Sequence, residues 1–434
     1  MIVEFSVRNF RSIKDLQTIS FVKTGLKSSD ENLDIDKNNI STDGGMSLLK
    51  TVGIYGANAS GKSNIIRALE YFIQAIKNEA SSESNLSSLT DPFLFQEEAA
   101  ESESFFQIVL IINSKKYRYG FSAKKNLNLS QGEKGSKEVI TNEWLYGTRE
   151  IKMTEYFTRD GSKVEKEKLP NTEKIPSSLP YEHTLFLTHA AAFDRDGVCA
   201  NIRSFFSSWT ISNFSKGIDH FRWNVGLLLE KENRKKDFLD LLCSFNLRYD
   251  DVIIERDKNK PEEIIIPQDQ IFFKKSYLNN QNKLFDVRLN LKNNESDGTK
   301  KLFDIGGLLL RAFNLHLSGF IIIDEIDSDF HPSLLIKVIQ LFNDPLINKS
   351  NSQLLFTSHD TNLMSPSIMR RDQFYFTEKN EDNSTKLFSL ADLKGIRNDA
   401  DFATQYLAGF YGAIPILEDY SNETSTRNGD PLEN

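Results

Sequence analysis

An α/β fold built around a phosphate-binding loop is predicted by three stretches of the sequence. One is an apolar strand that runs into GANASGKS and then into a helix; the others are the apolar strands of FIIIDEID and QLLFTSHD, which close on paired acids and on a histidine. Each places polar residues at the carboxyl end of a buried strand, where parallel sheets bind their ligands. With 434 residues the chain has room for two or three folding units and a large core.

The elements follow in chain order. Residues 1–23 alternate as IVEFSVRNF and LQTISFV, the period of two half-buried strands joined by RSIKD. LLKTVGIYG is a third strand that ends on a glycine. ASGKSNIIRALEYFIQAIKNEA then spaces Ile65, Ile66, Leu69, Phe72, Ile73 and Ile76 along one face of a helix. Residues 78–104 are rich in Ser and Glu and read as an exposed connection, interrupted by PFLF. FFQIVLII, KYRYGFSA and EWLYG read as antiparallel hairpins. IRSFFSSWTISNF and VGLLLEKENRKKDFLDLLCSF read as helices. IFFKK and LFDVRLNL are strands, KKLFDIGGLLLRAF a helix, and PSLLIKVIQLFND a helix between the second and third strands of the opening argument. QFYFTEK and TKLFSLADL close the order as a hairpin, followed by a polar tail.

Composition excludes several classes. Hydrophobic residues make up 39% and charged residues 26%, near globular averages, and 32 Phe against 5 Met point to a core of aromatic rings. No apolar run is long enough to span a bilayer, and the N-terminus alternates where a signal peptide would not, so a cytoplasmic protein without membrane contact is expected. Cys199 and Cys243 cannot form a disulfide framework and have no Cys or His partner at metal-ligand spacing, the six His residues are scattered, and the pair His183 and His189 is read as structural, so no structural zinc is expected. A net charge of -8 does not indicate a surface that grips nucleic acid throughout, although Lys115, Lys116, Arg118, Lys124 and Lys125 form a local cluster.

GANASGKS, from Gly56 to Ser63, fits G-x-x-x-x-G-K-[ST] at every position, between a strand and a helix. Its chemistry explains its composition. Gly56 and Gly61 let the backbone curl so that N–H groups point at phosphate oxygens, and the helix adds its positive end. Lys62 brings a charge to the β- and γ-phosphates and Ser63 a hydroxyl to Mg2+, while Ala57, Asn58, Ala59, Ser60 and Asn64 complete the loop. In FIIIDEID, strand alternation sends Asp324 toward the metal's water shell and Glu325 toward a water in line with the γ-phosphate. His359 ends the third strand, within reach of the same phosphate. ESDGT has the look of a helix cap, with Ser296 or Thr299 as the capping residue. Asp399 and Asp401 have the Asp-x-Asp spacing of some metal-dependent nucleases, but too little chain remains for such a domain, and the pair is read as a loop cap.

GANASGKS, ESDGT, IIIDEID followed by HP, and FTSHD stand in the order found in ABC-type ATPases, and their form resembles the SMC-like and DNA-repair branch. More narrowly, NFRSIKD, the HP, RRDQFYFTEKN and YLAGFYGAIP resemble the RloA and AbiL group of ATPases, associated with bacterial defence against phage. The similarity spans about 1–75 and 285–417. It implies an ABC-type P-loop ATPase head of α/β class with a mixed sheet, an antiparallel β subdomain and an inserted helical subdomain. The expected organisation is a core of 1–77 and 285–417, a connection and β subdomain over 78–175, a mainly helical insertion over 176–284, and a disordered tail at 418–434.

The resemblance also implies roles. Ser296, Gly298 and Thr299 would complete the ATP site of a second protomer, although the usual signature is Leu-Ser-Gly-Gly-Gln. Gln96 would sense Mg2+, Arg11 and Ser12 would touch the nucleotide, Asp327 would lie in the loop crossing the dimer, and Lys62, Glu325 and His359 would be catalytic. ATP and Mg2+ are the implied cofactors. A homodimer or higher homo-oligomer controlling a separate effector, a nuclease or toxin encoded nearby, is the implied setting. The alternatives are an SMC-like DNA clamp and a nucleotide-gated scaffold with little hydrolysis.

Overall fold

The computed structural model describes residues 1–28, 34–78, 83–126, 137–149, 152–194, 197–207, 209–213, 222–231, 233–256, 266–278, 280–313, 319–328 and 330–415. The expected tail at 418–434 lies outside the described residues. The fold is α/β, with one mixed sheet and separate antiparallel sheets.

The mixed sheet carries the three strands from which the fold was expected. Among the described residues its order is β11 (Thr210–Asn213), β15 (Phe320–Asp324), β16 (Gln353–Thr357), β5 (Thr51–Gly56), β17 (Phe374–Lys379) and β18 (Thr385–Ser389). All neighbours run parallel except β17 and β18, which form the expected antiparallel hairpin. Parallel strands covered on both faces need continuous apolar runs, and FIIID and QLLFT are buried throughout.

A second sheet is antiparallel throughout. It joins β10 (Lys163–Glu165), β9 (Lys152–Asp160), β8 (Glu138–Arg149), β7 (Lys115–Lys125), β6 (Ser104–Ile112), β1 (Ile2–Arg8) and β2 (Gln17–Ser20) in that order. The two N-terminal strands thus complete the sheet built by the later hairpins, because β1 pairs with β6 along its length. Helix α2 (Lys62–Lys77) lies between this sheet and the mixed one, burying all six residues of its expected apolar face. Phe72 is at its centre, stacked on Phe121 and within ring contact of Phe5, Phe106, Tyr119 and Phe206.

Two local expectations are corrected. The helical period expected through WTISN does not persist: α5 (Val198–Ser207) stops and Thr210–Asn213 becomes the edge strand beside β15. Four residues of helical period carry little information of their own, and the open edge of β15 decides their state. VGLLLEKENRKKDFLDLLCSF is two pieces, α6 (Arg222–Gly226) with a following π turn, and α7 (Lys235–Ser244), parted near Asn233, whose φ of 51° is left-handed. IFFKK and LFDVRLNL are strands, β13 (Ile271–Leu278) and β14 (Leu284–Asn290), in a separate small sheet with β12 (Asp251–Ile254). Asp401 caps a short C-terminal helix by accepting from the N–H of Thr404, as a loop cap should.

The other face of the mixed sheet packs on α9 (Asp297–Phe313) and α10 (Pro332–Asn343). In mid-helix, α9 carries Gly307 because α6 crosses it closely, and Gly306 beside it faces Phe238 of α7. A Cβ on Gly307 would stand 2.5 Å from Val225 Cγ2 and 2.8 Å from the Val225 backbone nitrogen. Beside this crossing, Asp304 of α9 receives Arg222 Nε at 3.1 Å in a buried ion pair. Gly307→Ala gains about 1 kcal/mol of helix propensity but overpacks against backbone, at about 1–3 kcal/mol. Chemical denaturation is therefore expected to show a net loss of stability; an unchanged or raised midpoint would contradict the crossing.

Candidate functional site

The loop from Gly56 to Ser63 joins the end of β5 to the start of α2, as the motif requires. Gly56 has φ 148° and Gly61 φ 109°, both unfavourable for a side chain. Sterics reinforce the choice: a Cβ would lie 2.4 Å from the Thr377 carbonyl oxygen at Gly56 and 2.0 Å from Thr385 Oγ1 at Gly61. The mixed sheet's last hairpin is therefore the outer wall of the loop. Ser60 is turned into that wall, hydrogen-bonded to Thr377 Oγ1 at 2.6 Å, with its carbonyl accepting from Thr385 Oγ1 at 3.0 Å. Of Ser60 only the backbone can face a ligand.

Lys62 is buried, and its Nζ donates to the carbonyls of Gly56 at 2.8 Å and Ala57 at 3.0 Å. Burial lowers its pKa to about 8, against the opposing pull of the carboxylates of Asp324, Asp327 and Glu325. The ammonium holds the loop in shape and is poised to exchange two carbonyls for phosphate oxygens. Ser63 Oγ donates to Asp324 Oδ1 at 3.2 Å, so the loop and the acidic strand meet on one atom. A hydroxyl and a buried carboxylate oxygen in contact form a hard-oxygen pair suited to Mg2+.

Asp324 and Glu325 stand in different backbone settings. Strand β15 ends at Asp324, and Glu325 has φ 56°, so the left-handed turn and not strand alternation sets the direction of its side chain. Thr357, at the end of β16, holds both: its Oγ1 donates to Asp324 Oδ1 at 2.6 Å and accepts from the Glu325 N–H at 2.7 Å. Thr357 was not singled out in the sequence. Its signal is its place at the end of a buried strand one register step from the acids.

His359 follows directly, its N–H donating to Asp327 Oδ2 at 3.0 Å. Partial burial and the Lys62 charge hold its pKa below the ordinary histidine value, although Asp327, Glu325 and Asp324 pull the other way. The imidazole is therefore neutral near pH 7, free to donate from one nitrogen and accept at the other.

The remaining expected residues fall into three places. Ser12 is tied to the loop, with its Oγ 2.7 Å from Thr385 Oγ1 and accepting from Asn64 Nδ2 at 2.7 Å. Arg11, in a left-handed turn, is ion-paired with Asp91 at 3.1 Å and lies over the rings of Phe10 and Tyr71. Gln96 is exposed at the start of the short helix Glu97–Glu101, and no hydrogen bond joins its side chain to Ser63 or Asp324. Ser296 is the cap of α9, its Oγ accepting from the Thr299 N–H at 3.2 Å, while Thr299 is buried. Ser296 is exposed and hydrogen-bonds to none of the loop residues of its own chain. Lys301 ties α9 to the acidic turn by donating to the Ser328 carbonyl at 3.0 Å.

A family described as AAA domain, putative AbiEii toxin, Type IV TA system, matches residues 52–365, which is more than half of the chain and includes the loop, the acidic strand and His359. The chain belongs to this AAA-domain family. No curated protein matches it. Among solved structures, the SMC head domain from Thermotoga maritima is similar at 14% identity and a TM-score of 0.45, over 89% of this chain and 98% of that one. The recombination mediator protein RecF of the RecFOR pathway is similar at 11% identity. Bound to ATPrS it gives a TM-score of 0.33 over 89% of this chain and 98% of that one; bound to ATP it gives 0.32 over 89% and 99%. Among its described residues, this AAA-domain protein has no helix long and apolar enough to cross a membrane.

Proposed function

We propose that the protein binds and hydrolyses ATP as an ABC-type ATPase whose two copies close head-to-head around the nucleotide, and that this closure controls a separate effector. The observation that carries the reading is the separation of the two halves of the site within one chain. The loop, Lys62, Ser63, Asp324, Glu325 and His359 meet at the strand ends, whereas Ser296 is exposed at the head of the 17-residue helix α9 without a bond to them. A helix N-terminus of that length favours an anion, and a second copy would supply one through its bound triphosphate.

The chemistry then divides among the residues. Lys62 neutralises the β- and γ-phosphates, and the loop N–H groups with the α2 N-terminus orient them. Ser63 and Asp324 would hold Mg2+, which supplies charge neutralisation at the bridging phosphates when bound. Glu325 accepts the proton of the attacking water, and neutral His359 donates to the γ-phosphate. Thr357 keeps both acids in register. A setting in bacterial defence, with a nuclease or toxin as effector, is supported by the resemblance to the RloA and AbiL group and by the toxin–antitoxin wording of the family description.

A mixing experiment tests the shared site. Ser296→Arg and Lys62→Ala are each expected to be inactive alone. Mixed in equal amounts they should recover about a quarter of wild-type ATPase activity, since half of random two-fold dimers pair unlike chains and each such pair holds one intact site of two. Mixtures as inactive as their components would sink the head-to-head model.

A further inference from the structure

Tyr55 immediately precedes the phosphate loop, and its side chain points away from it. By strand register it shares a sheet face with Ile323, Phe356 and Phe376, opposite the face on which α2, Ser63 and Asp324 meet. Its ring lies 6.3 Å from Phe356, 6.0 Å from Phe374 and 6.4 Å from Phe376, and Gly53 is needed beneath it, since a Cβ there would come within 2.6 Å of the Phe356 ring. Everything that packs on this ring would pack as well on phenylalanine.

The hydroxyl is therefore the unexplained group. Tyr55 is fully buried, and its OH has no hydrogen-bond partner among the described residues. A buried hydroxyl without a partner costs about 1–3 kcal/mol, a cost that phenylalanine would avoid. A second orphan lies at the end of the neighbouring strand: the Ser358 N–H donates to the Ile54 carbonyl at 3.1 Å, which sets Tyr55 alongside Ser358 and His359, and Asp327 is held to His359. Asp327 receives His359 N–H on Oδ2, but its Oδ1 is buried and, among the described residues, unpartnered, as is Oγ of the adjacent Ser328. Burial raises the Tyr55 pKa well above the tyrosine range, and the nearby carboxylates of Asp360 and Asp327 add to the shift, so the phenol keeps its proton and can only be useful as a donor to such acceptors.

We propose that Tyr55 is a positioning residue of the site: its hydroxyl donates through one bridging water to Oδ1 of Asp327, and so fixes the carboxylate that holds the His359 backbone at the strand end. The pairing satisfies two buried polar groups at once, which is what such groups require. It also connects the strand before the phosphate loop with the turn after the acidic strand, so that the loop and the turn move together. Asp327 thereby acts from behind His359, within its own chain. The assignment deepens the ATPase reading and rests on it for its catalytic consequence.

The test is Tyr55→Phe, which keeps the ring and the packing. Thermal unfolding should shift modestly downward, because Asp327 Oδ1 loses its donor, and the KM for ATP should stay within about twofold, while kcat falls roughly tenfold from misplacement of His359 and the turn. In a double-mutant cycle the effect should vanish in an Asp327→Ala background. A wild-type kcat, or a loss of equal size in both backgrounds, would overturn the proposal. Hydrogen exchange provides a readout independent of turnover: the amides of Ile326–Ser328 and Ser358–Asp360 should exchange faster in Tyr55→Phe, and equal exchange would also overturn it. If the wild-type chain failed to hydrolyse ATP, the proposed function would fall, while the exchange result would still decide what Tyr55 does.

Discussion

Lys62→Ala is expected to abolish ATP binding, with no change in a fluorescent nucleotide analogue's signal up to concentrations that saturate the wild type. The ammonium does two things that no neighbour can replace. In the free protein it braces the loop through the Gly56 and Ala57 carbonyls, and with ligand it would be the one side-chain cation of the loop to reach the terminal phosphates. Its removal leaves those carbonyls facing phosphate oxygens, so an attraction becomes a repulsion. Charge-assisted contacts of this kind are worth about 1.5–3 kcal/mol each, and two lost together lower affinity by at least about a hundredfold. A pH dependence follows from the same group. Burial lowers its pKa to about 8 in the free protein, and binding requires the charged form. Apparent affinity should be level below that value and fall by up to about tenfold per pH unit above it. Full affinity retained by Lys62→Ala would remove the loop from the site.

Glu325→Gln is expected to trap a closed, ATP-loaded assembly. The substitution removes the base and keeps the shape, and the backbone N–H that Thr357 Oγ1 accepts is untouched. The phosphate contact proposed for Lys62 and the Mg2+ contacts proposed for Ser63 and Asp324 would survive, so ATP would still bind while the proton of the attacking water has nowhere to go. Turnover should drop by about 100-fold or more, and size-exclusion profiles should shift to a larger species on addition of ATP. Identical profiles with and without ATP would put the closure model in trouble.

These two predictions involve residues that were legible in the sequence, and for the same reason. A loop that must curl tightly, donate N–H groups to an anion and open a helix can be written in few ways, and GANASGKS is one of them. The apolar strands behave likewise: FIIID and QLLFT are buried on both faces, so their hydrophobicity is continuous and their ends are sharp. The α2 face was equally legible, because a helix between two sheets must bury a stripe at helical spacing. WTISN and the break near Asn233 were not legible. Short segments there are decided by an open strand edge and by a left-handed residue, neither of which has a periodic signal.

By itself, the sequence determined the order of the phosphate loop, acidic strand and histidine strand, and the kind of atom each presents. It also placed a cap at Ser296 or Thr299, of which the structure uses Ser296. Only the tertiary structure decided that Thr357 holds the two acids, that Ser60 faces the Thr377 wall, that Gln96 is exposed away from hydrogen bonds with the acids, and that the Tyr55 hydroxyl is buried without a partner. The physical reason is range. Backbone curl and burial are local demands that a few adjacent residues must meet, whereas the hydrogen bonds between strand ends join residues 32, 33 and 317 positions apart and are fixed by register.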